Sequence, residues 1–273
     1  MAYLPGMNVG GTELHVEDHG HGPPLVMLHG LGSNVEWLRP EIEQLSRIRR
    51  VIALDSRGHG RSDRPAAYTL ADHVSDVLGV MDALGLERAD VMGTSMGSYV
   101  AQGVAIRAPQ RVSKLVLVVP KASGTTSSVA RLIGEHAAEL EGKSNDEVLA
   151  FIGGLMFAPT TSPEVRARRD QGTQRDMELG LSLTPGQFQA ANRALEGFDF
   201  RPELPRVTAP TLVISGRHDP LNPPAEGEVI ARSIPYARMV VLERSGHLPS
   251  LEEPDELVEI IRDFLQQEPA PTS

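Results

Sequence analysis

Ala89-Asp90-Val91-Met92-Gly93-Thr94-Ser95-Met96-Gly97, running on into Tyr99-Val100-Ala101-Gln102-Gly103-Val104-Ala105-Ile106, is the stretch that decides the fold. A short apolar strand that turns at once into an Ala/Gly-rich helix holds Ser95 at the apex of a strained turn, its hydroxyl exposed above a sheet. Gly93 and Gly97 then have a steric role, because side chains at both positions would collide where the helix backbone passes the strand. The pattern G-x-S-x-G is short and recurs by chance; a strand before it and a helix after it are the context that gives it meaning. Ser95 is therefore a candidate nucleophile, and the rest of the chain must supply a base, an acid and oxyanion donors.

Upstream, Thr12 to Glu17 alternates polar and apolar residues as an antiparallel edge strand would. Leu25-Val26-Met27-Leu28 and Val51-Ile52-Ala53-Leu54 are continuous and apolar, as strands buried on both faces are. Helical spacing surrounds Trp37, Ile42 and Leu45, and a helix is predicted over Leu70 to Leu84 with Val74, Val77, Leu78, Met81 and Leu84 on one face. Downstream, Lys114 to Val119 is a further buried strand. Strands resume at Thr211 to Ser215 and Met239 to Leu242, with a helix over Ala225 to Ser233 between them. An amphipathic helix over Glu256 to Leu265 closes the chain, and Glu268 to Ser273 is expected to fray. Alternating strands and helices mean right-handed βαβ units and a mostly parallel sheet. From Pro120 to about Pro205 that rhythm breaks. Ser/Thr- and Pro-containing loops there separate helix-like pieces at Val129 to Leu140 and Glu147 to Met156, so residues 120–205 read as a helical cap inserted in a core made of 1–119 and 206–273.

Composition bounds the function. With 273 residues, 40% hydrophobic and 23% charged, the chain is of globular type and long enough for a large core. A formal net charge of -10 argues against a nucleic-acid or anionic-membrane surface, both of which need clustered positive charge. The absence of cysteine rules out disulfides, a thiolate nucleophile and thiolate metal sites. Met1 to Gly11 lacks the pattern of a signal peptide, so a cytoplasmic location is the expectation. The nine histidines show no H-x-x-x-H spacing, and no metal site is expected.

In an open parallel sheet, ligands sit outside the carboxyl ends of the strands. Four such ends carry polar punctuation: His29-Gly30, the Ser95 turn, Gly216-Arg217-His218-Asp219-Pro220, and Ser245-Gly246-His247-Leu248. With Gly32 and Gly58-His59-Gly60-Arg61-Ser62, and in the chain order Ser95, Asp219, His247, these motifs resemble the α/β-hydrolase superfamily, in its branch of serine esterases, lactonases, non-haem haloperoxidases and C–C hydrolases. Thr94 departs from the His that many relatives carry before the nucleophile, which is expected to alter packing under the turn and leave the mechanism intact.

The resemblance implies an α/β-hydrolase fold and roles for each residue. Ser95 is the nucleophile, His247 its general base and then acid, and Asp219 orients the imidazole and stabilises the imidazolium. The backbone N–H groups of Leu31 and Met96 form the oxyanion hole. Ser at the turn, where dehalogenases and epoxide hydrolases of the superfamily carry Asp, points to an acyl-enzyme and to a small-molecule ester or lactone as substrate. C–C hydrolysis of a diketone-like substrate, perhydrolysis, and a receptor that turns over its ligand slowly are the alternatives. No organic cofactor is implied. Trp37, Lys121, Phe157 and Leu248 are candidate substrate-binding residues; Lys121, just past the strand ending at Val119, is expected at the mouth of the site, either extending its chain to solvent or pairing with a substrate carboxylate or carbonyl. His29, His59 and His218 are expected to shape loops.

Overall fold

The continuous apolar runs become the inner strands of a single sheet. A computed structural model describes residues 2–267; Met1 and the tail expected to fray at 268–273 lie outside the described residues. The chain runs through β1 (Ala2–Val9), β2 (Thr12–Gly20), β3 (Pro24–Leu28), α1 (Arg39–Leu45), β4 (Arg50–Leu54), α2 (Leu70–Ala83), β5 (Ala89–Thr94), α3 (Met96–Arg107) and β6 (Val112–Val118). Five helices follow: α4 (Ser128–Glu135), α5 (Ala137–Leu140), α6 (Asn145–Leu155), α7 (Pro163–Glu178) and α8 (Pro185–Arg193). The alternation then resumes with β7 (Thr211–Gly216), α9 (Pro224–Ser233), β8 (Ala237–Leu242), α10 (Pro249–Glu252) and α11 (Pro254–Gln266).

The sheet has eight strands in the order β1-β2-β4-β3-β5-β6-β7-β8. β2 is antiparallel to both neighbours, and every pair from β4 to β8 is parallel. The expectation that Thr12 to Glu17 forms the edge is corrected: β1 pairs outside it, from Ala2↔Asp18 to Val9↔Thr12. Pro5 and Gly6 hide this strand in the sequence. They fall at its register shift between Leu4 and Met7, the place where an edge strand tolerates them.

Side-chain alternation divides each inner strand between two cores. Val26, Leu28, Val91, Leu115, Leu117 and Val213 pack against α2, α3 and α9. Leu25, Met27, Met92, Val116, Leu212 and Ile214 pack on the other face against α1 and α11. After β3 the chain moves outward to β4 and then returns to place β5 on the opposite side of β3, so strand order reverses between β3 and β5. Such a reversal leaves a crevice at the strand ends.

Between β6 and β7 the only described pairing is an isolated bridge, Ser123↔Asp199, which joins the two stems of the inserted helices. The single helix expected over Val129 to Leu140 is two, broken at His136, and two further helices, α7 and α8, complete the helical insertion. Among the described residues no helix is long and apolar enough to cross a membrane.

Candidate active site

Ser95 sits between β5 and α3 with φ 51° and ψ -116°, a region that costs a side-chain-bearing residue about 1–3 kcal/mol. The surroundings hold it there. Its N–H donates to Val118 O at 2.9 Å, and its own carbonyl accepts from the Ser98 amide at 2.8 Å and the Ser98 hydroxyl at 2.6 Å. The flanking glycines are required by backbone contact: a Cβ on Gly93 would lie 2.1 Å from Gly97 O, and one on Gly97 would lie 2.3 Å from Leu28 O.

Across the crevice, His247 and Asp219 come from the ends of β8 and β7. His247 Nε2 lies 2.9 Å from Ser95 Oγ, and His247 Nδ1 lies 2.7 Å from Asp219 Oδ2. Both are nearly inaccessible, at 5% and 3% exposure, so this chain of bonds is shielded from competing water. Asp219 Oδ1 accepts from the amides of Leu221 (2.8 Å) and Asn222 (3.0 Å), which leaves Oδ2 for the imidazole. Nδ1–H then donates to the carboxylate, and Nε2 is free to accept the serine proton.

The loop after β3 closes the third side. A Cβ on Gly30 would lie 3.5 Å from Ser95 Cβ, so the His29-Gly30-Leu31 turn packs directly against the serine. Among the described residues the Leu31 amide finds no acceptor, and the amide of Met96, first residue of α3, has none inside its helix. His29 is fully buried; its Nε2 accepts from the Ser56 amide at 2.9 Å and locks this turn to the loop after β4. The His59 ring lies 5.2 Å from that of His29, tilted by 60°, and His73 lies 6.5 Å from His59. Burial lowers His29 to about 4 and His59 and His73 to about 3, so all three are neutral wedges. His218 is exposed, and its backbone N–H bonds Ser245 O at 2.9 Å.

Several positioning residues were not singled out from sequence. Asn222, three residues after Asp219, donates from Nδ2 to Val119 O (2.7 Å) and Tyr99 Oη (2.8 Å), tying the acid loop to β6 and to the helix behind Ser95. Val119 has φ 45°, an outlier for a β-branched residue, held by this bond and by its own N–H to Ile214 O at 2.7 Å. Glu253 accepts from Ser245 Oγ at 2.6 Å, and Glu252 accepts from the Gly246 amide at 2.8 Å. Glu252 also takes the amide of Ala158 at 2.7 Å, so one carboxylate grips both the His247 loop and the inserted helices. A polar residue one turn past a strand-end motif was the available signal.

The expected substrate-binding residues fare differently. Leu248 follows His247 directly and stays partly exposed beside the crevice. Phe157 is buried under the Arg166 guanidinium, 4.7 Å above its ring, with its backbone against the His247 loop. Trp37 instead reaches the inserted helices: Nε1 donates to Asp176 Oδ2 at 2.7 Å. Its ring lies so close to Gly172 that a Cβ there would come within 2.5 Å. Lys121 lines a cavity that includes none of Ser95, Asp219, His247, Leu31 or Met96, and its Nζ lies 5.7 Å from the centroid of the Tyr99 ring. Phe188, on α8, lies near Gly32, and Leu31 packs against Ala190, Ala191 and Ala194, so α8 roofs the loop that carries the candidate oxyanion donor. Among the described residues no group of three or more His, Asp or Glu side chains is arranged to hold a metal ion.

Comparison with known proteins identifies the family. The chain is 32% identical over 256 residues to the pimeloyl-[acyl-carrier protein] methyl ester esterase of Nitrosomonas europaea, covering 90% of this chain and 97% of that protein. It is 30% identical over 267 residues to the 2-hydroxy-6-oxo-2,4-heptadienoate hydrolase of Pseudomonas putida, covering 95% of each. The crystal structure of the enol-lactonase from Burkholderia xenovorans LB400 superposes with a TM-score of 0.81 at 29% identity, over 96% of this chain and all of that one. Residues 25–260 match the alpha/beta hydrolase family. The strained serine, the strand order and these likenesses agree, and the chain belongs to the alpha/beta hydrolase family.

Proposed function

We propose that this hydrolase cleaves a carboxylic ester or lactone of a small, largely apolar molecule through a Ser95 acyl-enzyme. The observation that carries the reading is the unbroken chain Ser95 Oγ, His247 Nε2, His247 Nδ1, Asp219 Oδ2, with links of 2.9 Å and 2.7 Å. Ser95 Oγ attacks the carbonyl carbon as its proton passes to His247 Nε2, and the charge that gathers on the carbonyl oxygen is taken by the Leu31 and Met96 amides. The intermediate collapses, the C–O bond breaks, and the imidazolium returns its proton to the leaving alcohol; in a lactone that alcohol stays tethered to the acyl group. Water then attacks the acyl carbon as its proton passes to His247 Nε2, the bond from the acyl carbon to Ser95 Oγ breaks, and the imidazolium returns the proton to Oγ as the acid leaves. Asp219 remains ionised throughout and stabilises the imidazolium. The 120–205 insertion serves as the cap that selects the substrate.

A second reading, C–C hydrolysis of a diketone-like substrate by the same three residues, draws support from the likeness to the 2-hydroxy-6-oxo-2,4-heptadienoate hydrolase. A screen of p-nitrophenyl acetate and butyrate, simple lactones and meta-cleavage-type diketones, with Ser95→Ala as the blank, tests both. Turnover of esters or lactones above the blank is expected. Turnover of diketones alone selects the second reading, and activity of Ser95→Ala equal to the parent removes both.

A further inference from the structure

Beside the Asp219 loop, the start of the cap and α9 line a cavity of about 330 Å³. Lys121, Thr126, Ser128 and Arg131 line one wall. Leu221, Pro223 and Val229 line the other, and Val229 is 40% exposed although apolar. Lys121 is unusual in how it is buried. It is only 9% exposed, yet its Nζ meets only neutral groups: it donates to Thr126 O at 3.3 Å and Ser128 Oγ at 3.1 Å, and lies 5.7 Å from the centroid of the Tyr99 ring. Among the described residues no carboxylate lies within ion-pair distance of it. The other cations on the walls are satisfied: Arg131 pairs with Glu135 at 2.8 Å, and Arg201 with Asp199 at 2.6 Å.

The second buried lysine shows what a self-sufficient site is like. Lys114, 8% exposed, donates to the carbonyls of Phe264, Leu265 and Gln267, all three at the carboxyl end of α11, where the helix dipole favours a cation. Lys121 has two acceptors for three N–H groups and opens onto a cavity. Glu226 on the same cavity attracts Lys121 from beyond ion-pair distance; burying a charge without a close counter-charge is costly, and an anion against Nζ would supply one.

We infer that this cavity binds a small monocarboxylate, its carboxylate against Lys121 Nζ and its aliphatic tail along Leu221, Pro223 and Val229. One N–H of Lys121 remains to be filled, and Glu226 stands on the same wall as the tail. That combination suits a monoanion and opposes a dianion such as phosphate. The site lies next to the candidate acid: Ser128 Oγ is 3.4 Å from Asn222 Oδ1, and the Asn222 amide holds Asp219. The inference does not depend on what Ser95 does, because binding is measured without turnover.

The test is calorimetric titration of sodium butyrate into Ser95→Ala protein, with sodium chloride at equal ionic strength and inorganic phosphate as comparisons. Saturable butyrate binding is expected, tighter than that of phosphate and unchanged when Ser95 of the parent protein is blocked covalently by a sulfonyl fluoride. Lys121→Met and Val229→Asp are each expected to weaken it by about 10-fold or more, through the lost charge-assisted bond and through an acid set in the apolar wall. Val229 is on the surface, so Val229→Asp folds even where Lys121→Met does not. Absence of saturable binding, phosphate binding as tight as butyrate, loss on blocking Ser95, or parent-like affinity in a folded variant overturns the inference.

Discussion

The sheet and its strand-end loops are built from backbone constraints, and the cap is built from surface helices. At Gly97 the next strand's carbonyl stands 2.3 Å from where a Cβ would be, whereas at Gly134, on α4 of the cap, nothing lies within 4 Å. β5 is buried along nearly its whole length, but in α7 only Asp176 is. One region tolerates almost no change in shape. The other is held by a few polar ties, and its surface is free to vary, which fits the proposal that the insertion selects the substrate on a fixed scaffold.

The largest effects should therefore come from the strand ends. Ser95→Ala and His247→Ala are each expected to remove turnover by about 10⁶-fold, and the double variant to be no slower, because nucleophile and base act as one unit. A double variant much slower than either single would break that unit apart. Asp219→Asn should fold normally yet lose on the order of 10⁴ in kcat, through the wrong imidazole tautomer; retention of most activity would remove Asp219 from the mechanism.

The glycines give a direct contrast in stability. Gly97→Ala forces a methyl into the Leu28 carbonyl, with no flexible side chain to yield, and should cost about 3 kcal/mol or more or prevent folding. Gly134→Ala, in a helix and facing open space, should instead gain about 0.5–1 kcal/mol. Urea midpoints of the two variants decide this, and similar shifts in both would erase the distinction between core and cap.

Much of the scaffold was legible because its signals are local and physical. Continuous apolar runs marked the parallel strands, and glycines marked the turn around Ser95. The cap helices α7 and α8 were not legible by periodicity, since Arg, Asp, Gln and Glu dominate α7 on all sides. Their beginnings were nevertheless written in Ser162-Pro163 and Thr184-Pro185. Each is an N-cap followed by proline at the first helical position, and Thr184 and Gln187 complete a capping box. The direction of Lys121 was not legible either, because a strand-end position sets where a residue starts but not which of two cavities its four-carbon chain enters.

The buried histidines His29, His59 and His73 make the core region sensitive to acid. Their folded values of about 4, 3 and 3 lie below the 6.5 of an unconstrained imidazole, so below pH 6.5 the unfolded chain binds protons that the folded one refuses. Stability is full above 6.5 and should fall by up to about 1.4 kcal/mol per histidine for each pH unit below it, until the folded values are reached. Urea unfolding between about pH 7 and pH 5 measures the slope, and His73→Phe should remove one histidine's share. An unchanged slope in His73→Phe would show that His73 is not excluded from protonation.

The smallest expected effect lies at the seam between the regions. Trp37 belongs to the core, and its indole N–H reaches Asp176 of α7 at 2.7 Å. Trp37→Phe keeps most of the ring packing and removes this donor, leaving a carboxylate that is 7% exposed without it. A hydrogen bond to a charged group contributes about 1.5–3 kcal/mol, but the cap can shift Asp176 toward water, so a loss of about 1 kcal/mol is expected. In a chain of this size that lowers Tm by about 2–4 °C. The sharper readout is kinetic. Trp37 does not touch Ser95, Asp219 or His247, so loosening the cap should raise KM and leave kcat near the parent value, as lost uniform binding does. Equal falls in kcat and kcat/KM would instead mean that the cap holds the strand-end residues in register, and that the two regions work as one.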